Sequence, residues 1–99
     1  MNEKLEIEHF IVEDARAFAS HCKTEGENIE SIYIDFNLKA RLISVLINCK
    51  NWPTEVDREN IDDIGFNIIA NYEEIGKVEY IYRVSTENYS TLKYKIYPG

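Results

Sequence analysis

The sequence predicts an α+β fold in which an antiparallel sheet of four to six strands carries one packed N-terminal helix and a short acidic second helix. Two observations indicate it: one segment repeats its apolar residues with a helical period, and several others alternate with a period of two. The last third of the chain is predicted to be a three-stranded meander. With 99 residues, the chain is predicted to be one domain, residues 1–99, because a second core does not fit in that length.

The first predicted elements are a strand and a helix. Residues 5–12 begin by alternating charged and apolar side chains and end apolar, which predicts a strand. The apolar period then changes to i, i+3, i+4 and i+7, which is one face of a helix, at Ala15, Phe18, Ala19 and Cys22. We therefore expect a helix over about residues 13–24, which ends before Gly26 and packs on the sheet.

A long alternating segment follows. Residues 32–42 place Ile32, Ile34 and Phe36 on one side and polar residues on the other, which predicts a strand. Because this segment is longer than a typical strand, we expect a bend or a break near Asn37. Residues 43–47 continue the strand and are predicted to be buried on both faces. A helix over 38–50, capped by Asn37, is the alternative.

The next predicted element is the acidic helix. Trp52 and Pro53 end the preceding strand, because proline restricts the backbone and lacks an N–H donor. Thr54 is a candidate N-cap, and Asp57 three residues later completes a capping-box pattern. The apolar stripe is thin and Gly65 is predicted to end the helix, so we expect it to be short and exposed.

Three strands are predicted after this helix. Residues 66–72, 78–84 and 92–96 alternate apolar and polar side chains, with a turn at 74–76 and a loop at 85–90. The tyrosines of the last two segments are expected to pack on the core. Lys93, Lys95 and Pro98 predict that the final strand lies at an edge of the sheet, where charge and proline discourage further pairing.

Charge limits the classes of partner. The chain has 18 acidic and 11 basic residues, a net charge of −7. The negative charge repels nucleic acid and anionic membranes and attracts basic proteins. In many proteins, however, such a charge only keeps the protein soluble. No apolar run reaches the ~20 residues that span a membrane, and the N-terminus does not resemble a signal peptide. Cys22 and Cys49 do not form a Cys-x-x-Cys pair, and two cysteines do not make a disulfide framework. A cytoplasmic protein with reduced thiols is therefore predicted.

No motif predicts catalysis, a metal or a cofactor. His21 and Cys22 are adjacent on the predicted helix, so their side chains point about 100° apart. Together with His9 and Cys49 they lack the closely spaced pairs of a zinc site. Residues 57–68 lack the glycine and the final glutamate of a calcium loop. The chain also has no phosphate-binding glycine pattern and no nucleophile elbow, so we expect that it is not an enzyme.

An acidic segment beside aromatic residues is the strongest indication of function. Between residues 55 and 74 there are seven carboxylates, and Arg58 is the one basic residue. Carboxylates set specificity for a basic partner, and Trp and Tyr are frequent interface hot spots. The predicted partner-binding residues are Trp52, Glu55, Asp57, Glu59, Asp62, Asp63, Tyr72, Glu73 and Glu74.

These residues suggest a small protein inhibitor. The leading hypothesis is a bacterial immunity protein that blocks the cationic cleft of a basic, nuclease-type toxin; small acidic immunity proteins are similar in size and charge, a likeness of class only. One alternative is a nucleic-acid mimic that blocks a DNA-binding protein, which requires carboxylates spread along one elongated face. Another is a regulatory domain with a small-ligand pocket bordered by tyrosines, Asn67 and Asn71.

Overall fold

The computed structural model describes residues 3–20, 28–84 and 92–98, with side chains from residue 6 onwards. These residues form two helices and one four-stranded sheet, which confirms the α+β class. The elements in chain order are α1 (Glu3–Ser20), β1 (Ile29–Asn37), β2 (Leu42–Cys49), α2 (Glu55–Asn71), β3 (Lys77–Val84) and β4 (Tyr94–Tyr97). The strand order across the sheet is β3-β2-β1-β4.

The sheet is mixed, so the prediction of a purely antiparallel sheet with a C-terminal meander was wrong. β1 is antiparallel to both β2 and β4, whereas β2 and β3 are parallel. The reason is the length of α2, which carries the chain from the end of β2 back to the start of β3. Parallel neighbours need such a crossover connection.

The N-terminal helix is longer than predicted. α1 begins at Glu3, so the strand predicted over residues 5–12 was wrong, while the helix was confirmed over residues 13–20. Residues 21–24 and Gly26 lie outside the described residues. The short alternating pattern predicted a strand incorrectly, because Ile7, Ile11 and Ala15 also recur every four residues, which is a helical spacing. In the structure that spacing places them on the face of α1 that packs on the core.

The break predicted near Asn37 was confirmed. β1 ends at Asn37, whose side-chain Oδ1 accepts a hydrogen bond from the Ala40 N–H at 3.2 Å, and the turn closes at Arg41 with a positive φ of 54°. The segment after it is strand β2, so the alternative helix over 38–50 was wrong. β2 lies between β1 and β3, and it is buried on both faces, with Val45 and Leu46 on opposite sides.

The second helix is a 17-residue element that packs on the core. Thr54 is its N-cap and forms the predicted capping box with Asp57, which confirms where it starts. It continues through Gly65 to Asn71, so the predictions that it ends at Gly65 and that residues 66–72 form a strand were wrong. Ile61, Ile64 and Ile68 lie on its buried side, at helical spacing.

Both helices cover the same face of the sheet. The core between them consists of apolar side chains from α1 and α2 against Ile32, Ile34, Ile43, Val45 and Ile47 of the central strands. Tyr80, Tyr82 and Tyr94 pack against this cluster, as predicted for the tyrosines of the last strands.

The two edges of the sheet differ. β4 lies at one edge, which confirms the prediction for the last strand, and the Arg16 side chain of α1 donates a hydrogen bond to the Lys95 carbonyl there at 3.3 Å. β3 forms the other edge. The loop predicted at 85–90 lies outside the described residues. In the part of the chain that is described, neither helix is long and apolar enough to cross a membrane.

Candidate protein-binding surface

One side of α2 faces solvent along its whole length. Glu55, Glu59, Asp62, Phe66 and Ile69 follow one another at intervals of four, three, four and three residues, and all five are exposed. That spacing places them on one side of an α-helix, opposite Ile61 and Ile68. With a rise of about 1.5 Å per residue, this outer face of α2, defined by these five residues, is about 21 Å long.

Apolar residues occupy the C-terminal half of the outer face. The Phe66 side chain is 72% exposed and Ile69 is 41% exposed. Phe66 follows Asp62 and Asp63 by four and three residues, so both carboxylates are its neighbours on the helix surface. Sequence reasoning missed Phe66 and Ile69 because it assigned them to a strand. The signal was present, since they continue the helical spacing that Glu55 and Glu59 begin.

Trp52 is placed as predicted. It precedes the N-cap Thr54 by two residues, in the loop that leads into α2, and it is 72% exposed. Trp52 is therefore exposed, as expected of a predicted partner-binding residue. Asp63 is exposed beside the outer face, so Glu55, Glu59, Asp62 and Asp63 of the predicted set lie together on solvent-facing parts of α2.

Asp57 is directed inward. Its Oδ2 accepts hydrogen bonds from the Thr54 N–H and from the Asn28 side-chain amide, both at 2.9 Å, and the residue is only 5% exposed. Burial raises the pKa of Asp57, but the hydrogen bonds from the Thr54 backbone and from the Asn28 and Thr54 side chains outweigh it, so that the pKa is lowered. This carboxylate caps α2 and is directed away from solvent.

We expect Asp57→Ala to lower the free energy of unfolding by about 2 kcal/mol, because it removes the capping box and leaves the donors at Thr54 and Asn28 without their acceptor. Urea unfolding at neutral pH measures the change. Glu59→Ala is the matched control, since it removes an exposed carboxylate from the same helix and should change stability by less than about 0.5 kcal/mol. Equal effects would contradict the capping role.

The difference in stability between wild type and Asp57→Ala should disappear at low pH and persist at neutral pH. Because the folded-state pKa of Asp57 is lowered, its stabilisation is fully present above the unfolded-state pKa, about 3.9, and is lost as the pH falls through the folded-state value. Wild type and Asp57→Ala should therefore converge in stability only below about pH 4. A difference that vanished already at pH 6 would contradict this assignment.

Tyr72 joins the two helices. It is the C-cap residue of α2, it is half-buried, and its hydroxyl donates a hydrogen bond to the Asp14 carboxylate of α1. Burial, that hydrogen bond and the nearby carboxylates raise the pKa of Tyr72 to about 12. Its hydroxyl is therefore engaged in helix packing, and Tyr72 is not the exposed aromatic residue that the sequence suggested.

The acidic turn after α2 is held by the β1–β2 hairpin. The Arg41 guanidinium donates to the Glu73 carbonyl at 2.7 Å, and the Arg41 carbonyl accepts from the Gly76 N–H at 2.8 Å. Both Glu73 and Glu74 keep exposed side chains. These contacts fix the backbone of the turn, so the two carboxylates form a second acidic site beyond the C-terminal end of the outer face.

Arg58 is the one basic residue of α2, and it lies beside β3. Its guanidinium lies 5.7 Å from the centre of the Tyr82 ring on β3, a distance at which the cation is attracted to the ring. Burial, followed by the charge of Asp62, raises the pKa values of Tyr80 and Tyr82 to about 12. Asp62 follows Arg58 by four residues, so the two are neighbours on the helix surface near β3 and Arg58 offsets part of the negative charge there.

Cys49 is the free cysteine among the described residues. Cys49 is buried, and burial followed by the charges of Asp57 and Glu30 raises the pKa of its thiol to about 11, so it remains protonated at neutral pH. Residues 3–20, 28–84 and 92–98 contain no group of three or more His, Cys, Asp or Glu side chains arranged to hold a metal. His21 and Cys22 lie outside these ranges.

No protein-family model matches this chain, and no curated protein matches it in sequence. The functional interpretation therefore depends on the surface itself.

Proposed function

We propose that this protein is a small acidic inhibitor that binds a basic protein, in the manner of a bacterial immunity protein that neutralises a nuclease-type toxin. The outer face of α2 is the proposed binding surface, together with Trp52 and Asp63. The observation that carries the proposal is an exposed aromatic residue, Phe66, set beside carboxylates on one rigid helix. Interfaces commonly combine an apolar centre with charged groups that select the partner.

Charge gives this surface its specificity. A nuclease binds phosphates with Lys and Arg in its cleft, and a row of carboxylates is attracted to the same groups. Glu55, Glu59 and Asp62 lie on one side of the helix, so they meet one partner surface together. The net charge of −7 speeds the encounter with a cationic protein.

A protein partner accounts for the surface better than the two alternatives. A nucleic-acid mimic needs charge along its whole binding face, whereas the second half of the outer face is occupied by Phe66 and Ile69. The small-ligand alternative uses the amides of Asn67 and Asn71. Both amides donate to backbone carbonyls four residues earlier in α2, at 2.8 Å, so they are engaged along the helix.

Affinity capture tests the proposal. The wild-type protein, the variant Asp62→Lys/Asp63→Lys and the control Glu6→Lys/Glu13→Lys are immobilised and exposed to lysate of the source organism at low salt. Each reversal adds two charges, so both variants change from −7 to −3. We expect one basic protein to elute in a salt gradient from wild type and control but not from the α2 variant. Stoichiometric wild-type protein should then suppress its nuclease activity.

The proposal fails if the bound proteins are the same on all three supports, because capture then follows net charge and not the outer face. It also fails if the captured protein keeps its full activity when saturated with the wild-type protein.

Phe66→Ala distinguishes an inhibitor from a nucleic-acid mimic. We expect this change to weaken binding of the purified partner by about 2 kcal/mol, roughly 30-fold, because it removes the aromatic centre of the interface. Phe10→Ala is the control, since Phe10 is 59% exposed on α1. Titration calorimetry measures both variants. A mimic, which binds through charge alone, should lose equally little with either.

A further inference from the structure

Phe66 is the aromatic side chain at the centre of the outer face of α2. It is 72% exposed, and it projects from the side of the helix opposite the buried Ile64 and Ile68. Side chains on a helix lean towards its N-terminus, so the Phe66 ring extends over the preceding turn. That turn carries Asp62 and Asp63, and both are exposed. The two carboxylates therefore border the ring.

The two aspartates lie on either side of Phe66 around the helix. Successive residues are rotated by about 100°, so Asp62 is displaced from Phe66 by about 40° in one direction and Asp63 by about 60° in the other. Residues at these spacings are about 5–6 Å apart at Cβ. Ile69 and Ala70, three and four residues after Phe66, are also exposed. The ring thus has carboxylates towards the N-terminus and apolar side chains towards the C-terminus.

This combination fits a guanidinium group better than an ammonium group. A guanidinium is planar and weakly hydrated, so it stacks on an aromatic ring while the N–H donors at its edge reach carboxylates. An ammonium is compact and strongly hydrated, and it loses more water when it contacts the same ring. The aliphatic stem of an arginine packs on apolar neighbours at the same time.

A guanidinium inside the molecule already lies near both an aromatic ring and Asp62. The Arg58 guanidinium is 5.7 Å from the centre of the Tyr82 ring, and Asp62 follows Arg58 by four residues. Arg58 precedes Phe66 by eight residues, which is about 12 Å along the helix, so its guanidinium is held at Tyr82 and away from the Phe66 ring. Asp63 is the carboxylate farther from Arg58 around the helix.

We propose that Phe66, Asp62 and Asp63 bind an arginine side chain of the basic partner, with the guanidinium stacked on the ring and its N–H groups donating to the carboxylates. The arginine site rests on the proposed function, since it specifies the chemical group that the outer face recognises. Charge complementarity alone admits lysine and arginine equally, whereas a ring bordered by carboxylates selects arginine.

Two blocked peptides of equal charge, hexa-arginine and hexa-lysine, test this selectivity without the partner. The attraction to a protein of charge −7 is common to both, so the ratio of their affinities reports the contact itself. Titration calorimetry at about 0.02 M salt measures both affinities. We expect wild type to bind hexa-arginine at least about tenfold more tightly than hexa-lysine.

Removal of the ring should remove most of that preference. In Phe66→Leu, which keeps an exposed apolar side chain but has no ring, we expect the ratio to fall to about twofold. Phe10→Leu is the matched control, since it removes an exposed ring from α1, and it should keep the wild-type ratio. Circular dichroism checks that each variant is folded.

The carboxylates are tested by neutral substitutions. Asp63→Asn should weaken hexa-arginine binding about tenfold, whereas Glu59→Gln, which removes one charge two turns before Phe66, should weaken it only about twofold. The loss in Phe66→Leu/Asp63→Asn should be smaller than the sum of the two single losses, because both side chains contact one guanidinium.

Stacking also has its own signature in NMR spectra. The ring current should shift the Hδ protons of the peptide arginines upfield in the complex with wild type but not with Phe66→Leu. The arginine site is overturned if neither peptide binds, if wild type shows no preference between them, or if Phe66→Leu keeps the preference. Those results would leave the inhibitor proposal standing on its capture and nuclease assays. Failure of those assays would remove the inhibitor function and leave the peptide preference intact.

Discussion

The variant Asp62→Lys/Asp63→Lys is expected to bind the basic partner more than about 100-fold more weakly than wild type, because it places two cations where the partner presents its own. Both side chains are exposed, and the hydrogen bond that Asp63 accepts from the Asn67 side-chain amide is made through its backbone carbonyl. The fold should therefore be unaffected. Surface plasmon resonance against the purified partner measures the change, and a slower association rate together with a flatter salt dependence is expected.

The control for this prediction is Glu6→Lys/Glu13→Lys, which makes the same change of net charge on exposed positions of α1. It should reduce the association rate modestly, through the long-range field, and leave the dissociation rate almost unchanged. If both variants lose affinity equally, the long-range field alone accounts for binding and α2 is not the contact surface. If the α2 variant retains its salt-sensitive affinity, the site lies elsewhere on the protein.

Local patterns in the sequence predicted the elements that depend on local interactions. Thr54 and Asp57 determine where α2 begins, because the capping box satisfies backbone donors within four residues of chain. The turn after Asn37 is equally local, since the Asn37 side chain accepts from a backbone N–H three residues later. The exposure of Trp52 follows from its place in a loop next to a proline.

Long-range packing determined what the sequence alone did not predict. Residues 66–72 alternate like a strand, and only the burial of Ile61, Ile64 and Ile68 along one line selects the helix. Because α2 extends to Asn71, it is long enough to be the crossover connection that the parallel strands β2 and β3 require. One error of seven residues therefore changed both the sheet topology and the candidate site.

Composition selected the candidate residues, and the structure shows which of them are exposed. Charge counting found the acidic segment, but it could not separate carboxylates that face solvent from one that caps a helix. Asp57 differs from Glu59 in its partners, Thr54 and Asn28, and Asn28 lies 29 residues earlier in the chain. Phe66 is exposed but was absent from the predicted set. It had been assigned to a strand packed on the core, and a residue in such a strand is not expected at the surface.

Gly65→Ala is expected to destabilise the protein by about 1–3 kcal/mol, although alanine is favoured over glycine inside a helix by about 1 kcal/mol. A Cβ atom at this position would overlap the Tyr80 hydroxyl oxygen, and it would lie 2.9 Å from Cζ of the same ring and 3.3 Å from Val78. Position 65 of α2 therefore requires glycine, since α2 and β3 approach each other too closely there for a side chain. Chemical unfolding monitored by circular dichroism measures the change.

A second substitution identifies the contact responsible. Tyr80→Phe removes the oxygen nearest the new methyl group, so Gly65→Ala/Tyr80→Phe should be more stable than the sum of the single changes predicts. The recovery should be partial, because the ring carbon at 2.9 Å remains. If Gly65→Ala alone raised stability, the helical preference of alanine would have prevailed and α2 would not be packed against Tyr80. The close approach also holds Asp62 and Arg58 beside β3, so such a result would displace part of the proposed binding surface.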